Sequence, residues 1–186
     1  MDVVEAIHQR RSFRSFAGAA IPRETLKRLV DAAIQAPSAM NEQPWSFTII
    51  QNQALLGHIS ERAKKHMLAL TKGTPAGDRY ATLLGSDDFH IFYHAPALVV
   101  ISAPLSSHWA VEDCALAAQN LMLAAHAMKL GTCWVGFAQA WLGTEEGHAA
   151  TGISSSLLPV APIIAGYPNV VTDSVPRKAP NINWID

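Results

Sequence analysis

Cysteine is almost missing from this chain of 186 residues: Cys114 and Cys133 are the two it has. They stand in no redox or metal-binding spacing, which excludes a disulfide scaffold and a thiolate zinc site. Free thiols in a cytoplasmic protein are the expectation. Charge is scarce as well. Charged residues make up 16% and nearly cancel, leaving a net charge of −1. Binding of nucleic acid through bulk charge is thereby excluded. Long apolar runs are missing too. The richest stretch, 109–128, is broken by Glu112, Asp113, Gln119, Asn120 and His126, so no membrane span is expected. The start, "MDVVEAIHQRR", opens on an acid and does not have the form of a signal peptide.

Several catalytic signatures are also absent. No G-x-G-x-x-G follows a strand, and there is neither a Walker-type glycine loop nor a G-x-S-x-G elbow. Ser154, Ser155 and Ser156 have no base to pair with and read as a loop. Eight histidines invite a metal reading. His90 and His94 could share one side of a helix, but Pro96 follows and no acidic ligand motif surrounds them. Glu112 and Asp113 are adjacent on a helix and point in different directions, so they form no carboxylate pair.

What is present is a core. Apolar residues make up 49% of the chain, enough for one domain spanning 1–186. Asp2 caps a first helix whose Val3, Val4 and Ile7 share a face. Pro22 opens a second helix, 23–35, and Pro37 stops it. Strands are expected at 45–51, 96–103, 132–137 and within 158–168. A third helix covers about 53–70, with Glu61, Arg62, Lys64 and Lys65 on its polar face. Residues 71–92, with three glycines and a proline, read as a variable, lid-like excursion with one helical turn or two. Residues 107–129 form a long helix ended by Gly131. It is apolar on nearly every face, so part of its wrapping is expected from a partner subunit. The stretch 141–153 is helical in part, and 172–186 is an extended tail ending in the bulky pair Trp184 and Ile185. Irregular alternation of helix and strand speaks against a doubly wound parallel sheet.

Three polar stretches stand out. "RRSFR" offers Arg10, Arg11, Ser12 and Arg14, guanidinium forks and a hydroxyl suited to phosphate oxygens. "APSAMNEQPW" offers Ser38, Asn41 and Gln43 on a loop stiffened by two prolines. The late "PRK" adds Arg177 and Lys178. Together they describe a ligand with a phosphate, a polyol and a polar aromatic ring.

The order "RRSFRSF", "APSAMNEQPWSF", "GTCWVGF" after an alanine-rich helix, "GYP" and "PRK" resembles the nitroreductase family of flavin mononucleotide (FMN) enzymes, from end to end. The resemblance implies an α+β fold with a central, mostly antiparallel sheet flanked by helices, in an intertwined homodimer carrying FMN at the subunit interface. By similarity, Arg10 and Ser12 bind the flavin phosphate, with Arg11 and Arg14 on the phosphate, ribityl or ring-edge side. Arg177 completes the phosphate site beside Lys178. Ser38, Ala39, Asn41 and Gln43 match the loop that meets the flavin, in many members that of the other subunit. Trp134, Val135 and Gly136 match the strand lying against the isoalloxazine, with Gly136 allowing close approach.

The implied reaction is ping-pong: NADH or NADPH delivers hydride to the flavin, and a nitroaromatic, quinone or related acceptor is then reduced. The cofactor carries the chemistry, so no catalytic acid or base is named. Dehalogenation, another oxidation, or flavin carriage with little turnover are the alternatives.

Overall fold

The run "ALVVISAP" organises the molecule. In the computed structural model, which describes residues 1–170 and 175–185, it is strand β2 (Ala97–Pro104). Successive side chains of a strand point to opposite faces. Ala97, Val99, Ile101 and Ala103 enter one apolar core, and Leu98 and Val100 enter another. A strand buried on both faces must be central. β1 (Ser46–Ile50) and β4 (Leu157–Gly166) flank β2, and β3 (Gly131–Trp134) adds to the outer edge of β4. The order is β1-β2-β4-β3, and every pairing is antiparallel.

Helices cover both faces of this sheet. On one side lie α2 (Arg23–Ala33), through Leu26, Leu29 and Ala33, and α5 (Ala110–Ala127), through Cys114, Ala117, Ala118 and Leu121. Alanines let α5 lie close to the strands. The other side holds α3 (Gln53–Thr71), α6 (Gln139–Leu142) and the buried residues Ile91, Phe92 and Ala95. The expected α+β arrangement is therefore observed. Short polar residues start several of the helices. Asp2 accepts from the Glu5 N–H at the head of α1 (Val3–Gln9), and Asn52 does the same for Leu55 in α3.

Several sequence expectations are corrected. Residues 71–92 hold more helix than the one or two turns expected, because Pro75–Leu84 form the helix α4. Thr74 caps it, accepting from the Gly77 N–H at 3.1 Å, and Pro75 sits in the first turn, where its missing N–H is harmless. Lys64 is not on a solvated face. It is 3% exposed, donates to the Ser86 carbonyl at 3.0 Å and pairs with Glu61 at 2.7 Å. The face of α1 carrying Val3, Val4 and Ile7 is exposed, and Ala6 is the buried residue of that helix. Lys129, in the left-handed region at φ 63°, lies just beyond the end of α5. Gly131 already belongs to β3. His90 and His94 lie outside any helix, His94 in a turn, with ring centroids 4.5 Å apart.

The partly helical stretch before β4 resolves into α6 and α7 (Glu145–Thr151). Arg62 of α3 donates to Glu146 of α7 at 2.8 Å. α5 leaves Val111 and Leu116 exposed, with Trp109 beside them. Of the expected tail, residues 172–174 and 186 lie outside the described residues, and Ile182, Trp184 and Ile185 are exposed. Both cysteines are buried and free. Among the described residues no helix is long and apolar enough to cross a membrane, and no group of His, Cys, Asp or Glu could hold a metal ion.

Candidate active site

The arginine segment is laid along the end of the sheet by its backbone. The Phe13 N–H donates to the Thr132 carbonyl of β3 at 3.0 Å, and the Ala17 N–H donates to Tyr167 beyond β4 at 2.8 Å. Phe13 and Phe16 are buried anchors. Between and before them, Arg10, Arg11, Ser12 and Arg14 are left to line a cavity of ≈ 230 Å³, completed by Val175 and Arg177. Among the described residues no carboxylate lines it. Arg10 has its pKa lowered, first by burial and then by the charges of Arg177 and Arg11. Like charges held together without a counter-ion are relieved by a bound anion. Arg11 is committed in part: its Nη1 donates to the carbonyls of His8 and Arg10, at 2.6 and 3.0 Å, closing the end of α1. The expected phosphate-site residues thus come together, except Lys178, which is exposed and lines neither this cavity nor the next.

A second cavity, of ≈ 410 Å³, is lined by Arg14, Met67, Tyr80, Tyr93, Cys133, Trp134, Val135, Gly136 and Phe137. Arg14 belongs to both cavities, so a single elongated ligand can occupy them. Val135 offers backbone rather than side chain here. It is 4% exposed within the core, and its N–H donates to the Pro162 carbonyl at 2.8 Å. A Cβ built on Gly136 would meet nothing within 4 Å. The internal packing of the chain therefore does not call for glycine here, whereas a flat ligand against the backbone does. The Cys133 thiol is pushed up by burial, opposed by Arg14, a hydrogen bond with Ser12, and Arg10.

Met67, Tyr80 and Tyr93 were not singled out from the sequence. They come from α3, α4 and the turns before β2, in or beside the stretch read as a variable excursion. Tyr80 packs edge-on to Phe137, with centroids 5.2 Å apart. Tyr93 and His94 are consecutive left-handed residues at φ 51° and 54°. Such non-glycine strain persists where the surroundings over-determine it. Here Ser60 accepts from the Ile91 N–H at 3.0 Å and Lys64 holds the Ser86 carbonyl.

The loop carrying Ser38, Ala39, Asn41 and Gln43 lies elsewhere. It leads into β1, at the opposite edge of the sheet from β3. Three strand spacings, about 14 Å, separate those edges. The loop lines neither cavity. Met40, Asn41 and Gln43 are left-handed, at φ 48°, 55° and 50°, at a cost of roughly 1–3 kcal/mol each. Ser38 Oγ accepts from the Gln43 N–H at 2.9 Å, and Gln43 Nε2 donates to Asn41 Oδ1 at 3.0 Å. Met40 is 91% exposed at the tip. The loop is thus braced to present its side chains outward. Asp113, set aside in the sequence as one of two divergent acids, receives the Ala39 N–H at 2.9 Å from α5.

Comparison with known proteins places this architecture. The nitroreductase family model matches residues 7–165. The chain belongs to the nitroreductase family. It is 30% identical over 173 residues to a protein of Methanothermobacter thermautotrophicus provisionally named an NADH dehydrogenase/NAD(P)H nitroreductase, covering 90% of this chain and 78% of the relative. It is also 30% identical over 131 residues to an iodotyrosine deiodinase of Thermotoga neapolitana, covering 67% and 68%. A nitroreductase from Bacteroides fragilis, solved with bound FMN, superposes with a TM-score of 0.87 at 27% identity, covering both chains completely. The two cavities and the braced loop of this nitroreductase-family chain accordingly sit on a fold that holds FMN in a solved relative.

Proposed function

We propose that the protein is an FMN-dependent oxidoreductase that takes electrons from NADH or NADPH and reduces nitroaromatics, quinones or related acceptors. One observation carries the reading. A cavity walled by Arg10, Arg11, Arg14 and Arg177, with no carboxylate among the described residues, shares Arg14 with an aromatic cavity that is also lined by the unobstructed Gly136. Those dimensions and charges fit a phosphate at one end and a flat ring at the other. Bound there, FMN supplies two-electron chemistry in alternating half-reactions.

The chain's own residues do the holding. Arg10, Arg14 and Arg177 grip the phosphate by charge-assisted hydrogen bonds, and the Ser12 hydroxyl adds a short one. Trp134, the Val135 backbone and Gly136 lie against the ring. Met67, Tyr80, Tyr93 and Phe137 leave an apolar, aromatic-lined space for a planar acceptor. Ser38, Ala39, Asn41 and Gln43 line neither cavity and lie at the opposite edge of the sheet, so they serve the cofactor of a second copy. The exposed apolar residues Val3, Val4 and Ile7 of α1, with Trp109, Val111 and Leu116 at α5, are the surface on which that homodimer closes.

The test is direct. The purified protein is expected to be yellow and to release FMN on denaturation. Under anaerobic conditions NADH or NADPH bleaches it, and a nitroaromatic or quinone restores the colour. A colourless protein that refuses added FMN overturns the cofactor assignment. A yellow protein that neither nucleotide bleaches overturns the NAD(P)H oxidoreductase reading in favour of a flavin carrier. Identity to the deiodinase at the same 30% level supports a second reading, reductive dehalogenation. Reoxidation by a halogenated phenol with halide release, and none by nitroaromatics, would establish that instead. A monomer with bound flavin in sedimentation would overturn the shared site.

A further inference from the structure

We infer that Asp113 is a positioning residue that sets the 38–43 loop for its contact with the cofactor. The inference rests on the proposed reading of that loop as flavin-facing. Asp113 lies in the first turn of α5 and is 2% exposed. Its carboxylate Oδ1 receives the Ala39 N–H at 2.9 Å, and its backbone carbonyl receives the Trp45 indole N–H at 3.0 Å. One residue therefore ties both ends of the stretch that contains the three left-handed residues Met40, Asn41 and Gln43.

The internal bonds of the loop, Ser38 to Gln43 and Gln43 to Asn41, shape it but fix nothing to the sheet or helices. Asp113 supplies that anchorage from α5, which is packed through the core. The other carboxylate oxygen, Oδ2, is buried without a partner among the described residues. Desolvation opposes burying an acid with one oxygen unsatisfied. What Asp113 provides is a single location for the Ala39 N–H, and through it for the Asn41 and Gln43 side chains. The sequence distance, 74 positions between Ala39 and Asp113, makes the tie tertiary rather than local.

The experiment compares Asp113→Asn and Asp113→Leu in the full-length protein, measuring FMN affinity, the visible spectrum of the bound flavin and thermal stability. Asp113→Asn keeps an acceptor for the Ala39 N–H and is expected to leave affinity and spectrum within about twofold of the parent. Asp113→Leu removes the acceptor. It is expected to weaken FMN binding about tenfold or more, the scale of a lost charged hydrogen bond, and to shift the flavin bands. If Asp113→Leu does not fold, Asp113→Ala carries the same comparison. Variants that lower the melting temperature but keep the parent's FMN affinity and spectrum would show a purely structural role and overturn the inference. Asn41→Ala and Gln43→Ala separate it from the reading beneath it. If they alter the spectrum and Asp113→Leu does not, the positioning role alone falls. If none of them alters affinity or spectrum, the flavin-facing reading of the loop falls with it.

Discussion

Gly131 and Gly166 face one another across the β3–β4 pair, and each leaves room for a phenylalanine of the arginine segment. A Cβ on Gly131 would come within 2.7 Å of the Phe13 ring, and one on Gly166 within 2.7 Å of Phe16 and 2.6 Å of Pro96. Two absent side chains thus seat two rings, and the rings seat Arg14 between them and Arg10 and Arg11 just before them. This connects packing at the end of the sheet to the geometry of the arginine-lined cavity.

Gly131→Ala is therefore expected to destabilise the protein by about 1–3 kcal/mol, the range for overpacking a filled site. The contact is with the Cβ and ring carbons of Phe13, which cannot withdraw as a flexible chain end could. FMN affinity should fall with it, because displacing Phe13 displaces Ser12 and Arg14. Denaturant midpoints and FMN titration of the same preparation check both. A variant as stable as the parent would show that the segment can shift without loss.

Gly136→Ala should behave in the opposite way. Its added methyl meets nothing in the chain, so the stability of the cofactor-free protein should change by no more than about 0.5 kcal/mol, as for ordinary surface changes. The methyl would intrude on the space assigned to the ring, so FMN binding should weaken. Equal FMN affinity in Gly136→Ala would remove the ring from that face of the backbone.

The arginine cavity makes a prediction of contrasting signs. Arg177 is exposed and destabilises the charge of Arg10. Removing it by Arg177→Ala should leave the cofactor-free protein at least as stable as the parent, while FMN binding weakens by about 1.5–3 kcal/mol for a lost charged hydrogen bond. Arg11→Ala should instead lower stability as well, since Arg11 caps the carbonyls at the end of α1. Calorimetric melting with and without FMN separates the two. A cofactor-free Arg177→Ala protein that melts well below the parent would contradict the account of unrelieved repulsion.

Local physics made much of this legible in the sequence. The near-continuous apolar run of "ALVVISAP" names a strand buried on both sides, and Asp2 and Pro22 mark helix starts correctly. "RRSFRSF" separates by residue type into buried rings and outward cations. What local patterns could not show was tertiary. Thr74 and Pro75 are sound signals for the start of α4, but the surrounding glycines read as breakers. Gly77 is in fact required where α4 turns back on α3, since a Cβ there would lie 2.1 Å from the Thr71 carbonyl oxygen. Lys64 occupies a polar position by pattern, yet a carbonyl 22 residues away compensates its burial. Asp113 was invisible for the same reason, its partner being far off in sequence. Val3, Val4 and Ile7 form the apolar face that periodicity predicts, but the same chain does not cover it.

His90 gives the last prediction, a pH dependence unconnected with the cofactor. Its imidazole is pushed down to about 4, first by burial and then by His94, with Lys64 acting the same way and Glu61 opposing. The geometry agrees, because Nδ1 accepts the Phe92 N–H at 3.1 Å and can do so only when unprotonated. The unfolded chain takes up this proton near the ordinary histidine value of about 6.5. Between there and 4 the unfolded state binds more protons, so stability falls as the pH is lowered. The contribution is complete above about 6.5 and lost progressively toward 4. His90→Gln should flatten the fall of denaturant stability across that window, without needing to match the parent at pH 8. An unchanged slope between pH 6.5 and 4 would show that His90 is not the group responsible.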